Sequence, residues 1–425
     1  MNKGNYEYRE RVFDAVLDYY LTTFGAVLIE GPKACGKTAT AMQHAASVVR
    51  LDRDPNAREL AAKLPEHLLA GDTPRLIDEW QVEPGIWNAA RHLVDDRFPA
   101  KGQFIFTGSS VPNDDVNRHS GAGRIAVLQM RPMSLYESGV SSGEVSLAAL
   151  LQGEITPTAA PEFSLTDVIE QIVRGGWPGN LHLSTQKAQL ALSAYVDNIA
   201  QVDISSLGDG VVRDPERVRR VLSSLARNVA TEASDAAIAA DAGGSEGPLD
   251  PRTVDEYVQA LERIRIVENL PAWSTHLRSS ATLRKSPKRF FIDPALATAA
   301  LGASPKKLLN DLNFVGLLFE ALAVRDLRVY AMPLQGRLYH YRDSNGLEVD
   351  AVLELRDGTW AAFEVKLGGE AAIEAAAKSL KKFASVVNTD KVGEPAALVV
   401  LTALGSVAYR RDDGVCVAPI ATLGV

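Results

Sequence analysis

Cysteine is scarce in this sequence, long apolar runs do not occur, and positive charge is not in excess. Two cysteines, Cys35 and Cys416, cannot build a disulfide framework, and the seven histidines show no metal-ligand spacing with them. Structural zinc is therefore excluded. No apolar run approaches the roughly 18 residues of a membrane span, and the N-terminal stretch MNKGNYEYRERVFDAVLDYY is charged and aromatic throughout. We expect a cytoplasmic protein without a membrane partner.

The charge balance and the length limit the class of protein further. The 53 acidic residues outnumber the 45 basic ones, which gives a net charge of −8. A chain coated in basic surface is excluded, so any contact with nucleic acid must use a local patch. The length of 425 residues predicts two to four domains, because roughly 100–200 residues form one domain. We divide the chain into segments 1–150, 151–275 and 276–425.

A glycine-rich loop between a strand and a helix is the strongest local signal. The apolar run AVLIE leads directly into GPKACGKT, which has the pattern GxxxxGK[ST], and a helix-compatible stretch, TATAMQHAASVV, overlaps its end. Backbone N–H groups of such a loop surround phosphate oxygens, and the helix points its positive N-terminus at them. We expect Lys37 to reach the outer phosphates and Thr38 to ligate magnesium. The predicted nucleotide-binding residues of the loop are Gly31, Lys33, Gly36, Lys37 and Thr38.

Hydrolysis requires carboxylates as well as a phosphate loop, and a second strand supplies them. The segment RLIDEW, Arg75–Trp80, is an apolar strand that ends in adjacent carboxylates. Asp78 is predicted to hold the magnesium shell, and Glu79 is predicted to orient the attacking water. The alternative is that Asp78 caps the next helix.

Polar residues after a third predicted strand, Gln103–Phe106, are further candidates. The strand ends in TGSS, so Thr107 or Ser109 is expected to sense the terminal phosphate, with loop-capping hydroxyls as the alternative. Ser109 is our nucleotide-binding candidate. Downstream, Arg124 is predicted to contact phosphate in the same chain or from a neighbouring subunit, whereas Arg131 is better interpreted as a surface arginine.

Several motifs together resemble a known family. The segments GPKACGKT, LIDEWQ, FIFTGSS, the GR before PMSLYE, and RGGWP resemble the AAA-type ATPases of bacteria and archaea that carry a C-terminal domain of unknown function. The resemblance covers nearly the whole chain. It implies an α/β fold with an AAA-like parallel-sheet P-loop core, a nucleotide-dependent switch that uses ATP and Mg²⁺, and a homo-oligomer.

The middle of the chain is predicted to be helical. Helical apolar spacing between Pro161 and Ile204 favours a lid over the nucleotide. A helix that begins at Asp250 and Pro251 precedes IRIVENLPAW, which is interpreted as a strand pair, and this order is typical of a winged helix. Winged helices often contact DNA, but many bind only protein. The presumed recognition face has mixed charge: Arg252, Glu256, Gln259, Glu262 and Arg263.

A change in charge marks the C-terminal segment. Residues 276–342 hold eleven Lys and Arg against four acids, a net of +7, and residues 343–425 hold eight against twelve, a net of −4. Basic surface beside clustered carboxylates suits a metal-dependent phosphodiester site, because the bases hold the polyanion and the acids hold the metal. Ordinary solvated charge is the alternative.

The strands LEVDAVLEL and TWAAFEVKL form a predicted hairpin. Its register determines whether Asp350 and Glu364 lie on the same face of the sheet. A two-residue loop would place Asp350 opposite Val365 and put Glu364 on the other side of the sheet. A three-residue loop, with Gly358 in the left-handed conformation, places Asp350 opposite Glu364. We favour the three-residue loop, which leaves an apolar face for the core.

Two opposed carboxylates repel unless a cation or a proton lies between them, and magnesium is the simplest way to relieve the repulsion. With Glu320 from the preceding helix and Lys366 two residues past Glu364, the set resembles the PD-(D/E)XK nuclease superfamily, whose domain is an α/β restriction-endonuclease-like fold. The resemblance implies that Glu320, Asp350 and Glu364 hold metal and that Lys366 steadies the attacking water or the developing charge. Val349 stands where that family usually has proline.

Two functions follow from these patterns. The first is an ATPase whose nucleotide cycle controls a C-terminal nuclease-like domain that cleaves or binds DNA. The second is an ATP-dependent oligomeric switch or scaffold whose C-terminal domain binds a partner without cleaving. The predicted catalytic residues are Lys37, Glu79, Asp350, Glu364 and Lys366.

Overall fold

The computed structural model describes residues 8–108, 121–204, 213–244, 247–274 and 286–425. These residues form two compact units. The first unit contains the described residues up to Pro132 together with 203–204 and 263–265. The second unit contains the remainder, and each unit is described by itself.

The first unit is built on a parallel sheet flanked by helices. Its helices are α1 (Val12–Thr23), α2 (Lys37–His44), α3 (Pro55–Lys63), α4 (Pro65–Leu69) and α5 (Ile86–Asp96), and its strands are β1 (Ala26–Glu30), β2 (Ser47–Arg50), β3 (Arg75–Asp78), β4 (Phe104–Gly108) and β5 (Ile125–Gln129). The strand order is β2-β3-β4-β1-β5, and all neighbours are parallel. The carboxyl ends of β1, β3 and β4 therefore meet at one edge of the sheet.

The apolar strand residues are buried because both faces of this sheet are covered. Every residue of β1 and β4 is buried, as expected for central parallel strands. Trp80 and Trp87 pack with their ring centroids 4.9 Å apart, and both rings contact Phe106. This aromatic cluster fixes the chain immediately after Asp78.

The predicted elements of this unit agree with the structure except after the glycine-rich loop. The strand at 26–30 is confirmed, the strand predicted over 75–80 ends at Asp78, and the third strand, predicted over 103–106, is found as β4. The predicted helix from Thr38 to Val49 ends at His44 instead. The β-branched Val48 and Val49 pair with Leu76 and Ile77 in the sheet, and this pairing overrides the local helical pattern.

The second unit combines helices with a mixed sheet. Its helices are α6 (Leu147–Leu150), α7 (Leu165–Arg174), α8 (Thr185–Asn198), α9 (Pro215–Arg227), α10 (Asp235–Ala242), α11 (Pro251–Arg263), α12 (Pro294–Ala300), α13 (Pro305–Leu308), α14 (Leu312–Tyr330), α15 (Glu370–Val386) and α16 (Thr389–Val392). Its strands are β6 (Val145–Ser146), β7 (Thr158–Ala159), β8 (Arg337–Arg342), β9 (Glu348–Glu354), β10 (Trp360–Lys366), β11 (Ala397–Thr402), β12 (Val407–Arg410), β13 (Cys416–Pro419) and β14 (Leu423–Gly424). The main sheet has the order β7-β12-β13-β11-β10-β9-β8, and β14 pairs separately with β6.

The predicted register of the C-terminal hairpin is confirmed. Trp360 pairs with Glu354 and Phe363 pairs with Ala351, so the same register sets Glu364 opposite Asp350. The N–H of Leu355 donates to the carbonyl of Thr359 at 2.8 Å, which closes a three-residue loop. Gly358 has a φ of 90°, the left-handed conformation that glycine adopts without steric cost.

Helix α14 crosses the core of this unit and brings charged groups into it. Arg325 is fully enclosed and donates to Asp293 at 2.8 Å and to Asp326 at 2.7 Å. Asp293 also accepts from the N–H of Gly176 at 3.0 Å, and Asp326 accepts from the N–H of Leu135 at 3.1 Å. Buried charges of this kind persist because each is paired and hydrogen-bonded.

The predicted strand pair within IRIVENLPAW is wrong. Within the described residues, Val267 bridges to Phe291 and Leu270 bridges to Lys288, so both partners come from the segment that begins at 286. Three helices, α9 to α11, precede this segment. The winged helix itself stays a prediction. The domain boundaries near 150 and 275 also remain predictions. No helix in the described part of the chain is long and apolar enough to cross a membrane.

Candidate functional site

The glycine-rich loop is folded tightly at the carboxyl end of β1. Ala34 and Gly36 adopt positive φ values of 60° and 113°, which turn the chain into α2. Gly31 lies so close to the carbonyl of Met130 that an added Cβ would come within 2.4 Å of that oxygen. The Lys37 ammonium group is buried inside the loop and donates to the carbonyls of Gly31 and Pro32, both at 2.9 Å. The lysine side chain is therefore held inside the loop by two main-chain carbonyls.

Two hydroxyls converge on one carboxylate beside the loop. Thr38 Oγ1 donates to Asp78 Oδ1 at 2.7 Å, and Thr107 Oγ1 donates to the same oxygen at 2.6 Å. Asp78 and Thr107 are 4% and 1% exposed. Because β3 and β4 are neighbours in the sheet, their ends bring Asp78 and Thr107 together, and Thr38 joins them from the first turn of α2. A hydroxyl and a carboxylate are oxygen ligands that suit Mg²⁺, so the residues present fit this ion.

Glu79 follows Asp78 in an unusual conformation. Its φ of 55° and ψ of 47° are left-handed, a region that costs a non-glycine residue roughly 1–2 kcal/mol. The amide of Gln81 donates to its carboxylate. Such strain persists only where the surrounding structure enforces it, and it is common at functional sites.

The loop and Glu79 line one open cleft of about 570 Å³. The lining residues are Lys33, Ala34, Gly36, Lys37, Thr38, Ala39, Asp52, Glu79, Gln81 and Val82. The cleft thus brings four of the five predicted loop residues, all except Gly31, to the same space as the predicted water-orienting acid.

Two ion pairs next to the loop were not predicted. Lys33 Nζ lies 2.6 Å from Asp203, and Arg265 pairs with Glu30, the residue immediately before Gly31. Both partners lie more than 150 positions further along the chain, so no local pattern indicates them. The phosphate loop is therefore anchored on both sides by acidic or basic residues from distant segments.

Arg11 is a further residue that sequence reasoning missed. Its guanidinium group is buried and donates to the carbonyl of Cys35 at 3.2 Å and to the carbonyl of Arg131 at 2.9 Å. It therefore joins the glycine-rich loop to the chain that follows β5. The main chain at Arg131 consequently lies beside the loop.

Ser109 and Arg124 are the two remaining nucleotide-binding candidates of this unit. Ser109 lies outside the described residues. Arg124 precedes β5, whereas Gln129 at the other end of that strand pairs with Glu30. At about 3.3 Å per residue, Arg124 is roughly 16 Å from the phosphate-loop end of β5, and its guanidinium group pairs with exposed Asp95 at 2.8 Å. This position argues against contact between Arg124 and a phosphate bound in the same chain, and contact from a neighbouring subunit stays a prediction.

A polar network connects α1 to α2 behind the loop. His44 contacts Asp14 at 2.9 Å and Asp18 at 2.7 Å, and the Tyr8 hydroxyl contacts both Asp14 and Thr40 at 2.8 Å. The hydrogen bond to Asp14 raises the pKa of His44 above its ordinary value of 6.5, against the opposing effect of partial burial. The charged imidazolium therefore stabilises the folded state.

This raised pKa predicts a loss of stability as pH rises. The stabilising effect of His44 is complete below pH 6.5, its ordinary pKa, and disappears as pH passes the higher pKa of the folded state. We expect the urea midpoint of the full chain to fall over this interval, and His44→Gln to remove that part of the fall. His67→Gln, which changes an exposed histidine, is the control. An equal pH dependence in wild type and His44→Gln would contradict the assignment.

In the second unit, the predicted acidic residues converge, but a lysine joins them. Lys366 Nζ lies 2.5 Å from Glu364 and 3.2 Å from Asp350. Lys288 Nζ lies 2.7 Å from Glu320 and 3.4 Å from Asp350. Lys288 was counted only as part of a basic segment, and the structure shows it inside the acidic site.

Burial and charge determine how these groups titrate. Burial, together with the charge of Asp350, raises the pKa of Glu320 to about 8 and that of Glu364 to about 7. Burial also opposes ionisation of Asp350, but the charges of Lys288 and Lys366 outweigh it and lower its pKa. The two lysines thus supply the positive charge that the sequence assigned to magnesium.

This arrangement differs from the expected three-carboxylate metal site. Among the residues that the structure describes, no group of three or more His, Cys, Asp or Glu side chains is arranged to hold a metal ion. The oxygens of Asp350 accept from Lys288, Lys366 and the N–H of Val365, and Glu364 also accepts from Ser379. The residues present do not fit a divalent metal in this conformation.

The basic segment is also less exposed than its composition indicated. Of its described bases, four are buried in ion pairs: Lys288 with Glu320, Arg289 with Asp235, Arg325 with Asp293 and Asp326, and Arg328 with Glu268. Buried, paired bases are unavailable to a polyanion. The predicted basic patch is therefore weakened over the described residues.

The sequence comparisons agree with the geometry of the first site. Residues 23–139 match the AAA domain family. Residues 165–307 match a domain of unknown function (DUF8612), and residues 315–423 match another (DUF4143), so neither description names an activity. No curated protein sequence matches the chain.

One solved structure with similarity to this chain is the Walker-type ATPase PABY2304 of Pyrococcus abyssi. The two chains are 12% identical, the alignment covers 68% of this chain and 94% of that one, and the TM-score is 0.39. This similarity is too low to carry an argument.

The fold and the first site together define a P-loop nucleotide-binding protein. The family match narrows this class over part of the chain, since residues 23–139 are similar to the AAA domain family.

Proposed function

We propose that this protein binds ATP with Mg²⁺ in the cleft of the first unit and hydrolyses it. The observation that carries the proposal is the convergence of Thr38 and Thr107 on Asp78 beside the glycine-rich loop. Glu79 lines the same cleft as Lys37 and Thr38, so a phosphate group and a water molecule can meet there.

Each residue has a distinct role in this proposal. Backbone N–H groups of the loop hold the phosphates, and Lys37 exchanges the carbonyls of Gly31 and Pro32 for outer phosphate oxygens. Bound magnesium would neutralise developing negative charge, with Thr38 and Asp78 as the residues that hold it. Glu79 orients the attacking water, and Thr107 reports the state of the phosphate through its bond to Asp78.

Release of phosphate from ATP tests this proposal directly. We expect the purified full chain to release phosphate with magnesium and to stop when EDTA removes the metal. Release at the background rate in both conditions would count against hydrolysis, whereas ATP binding without release would leave a binding protein.

For the second unit, the structure favours binding of a partner over cleavage of DNA. The helix and hairpin residues of a nuclease-like site are brought together, but Lys288 contacts two of the three carboxylates. We therefore infer an ATP-dependent switch in which the lid, the winged helix and oligomerisation respond to nucleotide and the C-terminal domain recognises a partner. DNA remains one such partner, and cleavage of labelled DNA by the wild type but not by Glu364→Ala would contradict the non-cleaving assignment.

A further inference from the structure

The acidic site of the second unit is filled by groups of its own chain. Lys288 contacts one oxygen of Glu320 and one of Asp350, while the other oxygen of Asp350 accepts from Lys366 and from the N–H of Val365. The Lys288 side chain is 6% exposed and that of Glu320 is 9% exposed. Solvent therefore has little access to the contact between Lys288 and Glu320.

The location of the ammonium group is incompatible with a metal ion between the same carboxylates. Magnesium requires oxygen ligands at about 2.0–2.1 Å, arranged almost octahedrally. Lys288 Nζ already lies within 2.7 Å of Glu320 and 3.4 Å of Asp350, so an ion that bridges these two residues would collide with it. Either cation can neutralise the carboxylates, but both cannot occupy this position.

The segment that carries Lys288 fixes this side chain in place. The main chain of Lys288 exchanges two hydrogen bonds with Leu270, at 2.9 and 3.0 Å. Phe290 and Phe291, which follow it, are buried. The lysine enters the acidic site from a packed strand-like segment and not from a flexible surface loop.

We propose that Lys288 is a built-in cation that replaces the divalent metal and keeps the C-terminal acidic site closed to it. The inference rests on the nuclease-like interpretation of the second unit and is independent of ATP hydrolysis by the first. It explains how three carboxylates can lie at one place without a metal ion, since each of them is in contact with at least one of the two lysines.

Binding of Mn²⁺ to the full chain, measured by electron paramagnetic resonance without nucleotide, tests this assignment. In the wild type, we expect no Mn²⁺ binding that is lost when Asp350 is replaced by asparagine. Lys288→Met keeps the apolar stem and removes the charge, so it should gain a Mn²⁺ site that the wild type lacks. Adding Asp350→Asn to Lys288→Met should abolish the gain.

Two further variants separate this effect from misfolding and from general charge. Lys288→Arg keeps the positive charge and should remain closed, whereas Lys306→Met removes an exposed lysine of the same unit and should behave as wild type. A folded Lys288→Met protein without Mn²⁺ binding would overturn the proposal. So would Mn²⁺ binding by the wild type that Asp350→Asn removes, a result that does not depend on the folding of any Lys288 variant. Both Mn²⁺ measurements are made without nucleotide, so their outcome does not depend on whether the first unit hydrolyses ATP.

Discussion

Replacement of Glu79 by glutamine should lower the rate of ATP hydrolysis by about 100-fold or more, the range typical for loss of an acid or base that acts on the attacking group. The amide keeps the shape of the side chain and its contact with Gln81, but it cannot accept a proton from water. ATP binding should change little, because Glu79 is predicted to contact the water and not the nucleotide.

Single-turnover phosphate release and equilibrium ATP binding measure these two effects separately. Glu59→Gln is the matched control, since Glu59 is an exposed residue of α3 whose ion pair with Lys63 is expected to contribute little. Equal hydrolysis rates in wild type and Glu79→Gln would remove Glu79 from the mechanism. A parallel loss of ATP binding would instead assign it to the nucleotide site.

Replacement of Asp78 by asparagine should separate ATP binding from its dependence on magnesium. The asparagine oxygen can still accept from Thr38 and Thr107, so the local hydrogen bonds survive, but the negative charge that favours Mg²⁺ is lost. We expect hydrolysis to fall by about 100-fold or more, and ATP affinity in magnesium to become equal to that in EDTA.

Calorimetric titration of ATP with and without magnesium checks this expectation. Asp96→Asn makes the same chemical change at an exposed residue at the end of α5 and should retain the magnesium effect. If Asp78→Asn still binds ATP more tightly with magnesium than without it, the ion is held by other residues.

The sequence predicts those parts of the fold that local patterns determine. Strand β1 and the loop after it are specified by an apolar run that meets a glycine motif. The hairpin register follows from the left-handed residue Gly358 and from the alternation of side chains on β9 and β10. In both cases, neighbouring residues carry the information.

Contacts between distant residues escaped prediction because no local pattern encodes them. Arg11, Asp203 and Arg265 reach the phosphate loop or its flanks only in the folded chain. Lys288 is 32 positions before Glu320 and 62 before Asp350. The sequence did contain one sign that Lys288 has a buried partner. Lys288 lies two positions before the apolar run FFI, and a lysine in a buried segment requires a charged partner.

Calorimetry with ATP and magnesium tests most directly whether the glycine-rich loop binds ATP through Lys37. Charge-assisted hydrogen bonds contribute about 1.5–3 kcal/mol each, so Lys37→Ala should weaken ATP binding by roughly 10- to 150-fold relative to the wild type. Lys63→Ala, which removes an exposed lysine of the same unit, should bind as the wild type does. Undetectable heat of ATP binding in the wild type, or equal affinities in wild type and Lys37→Ala, would contradict the account.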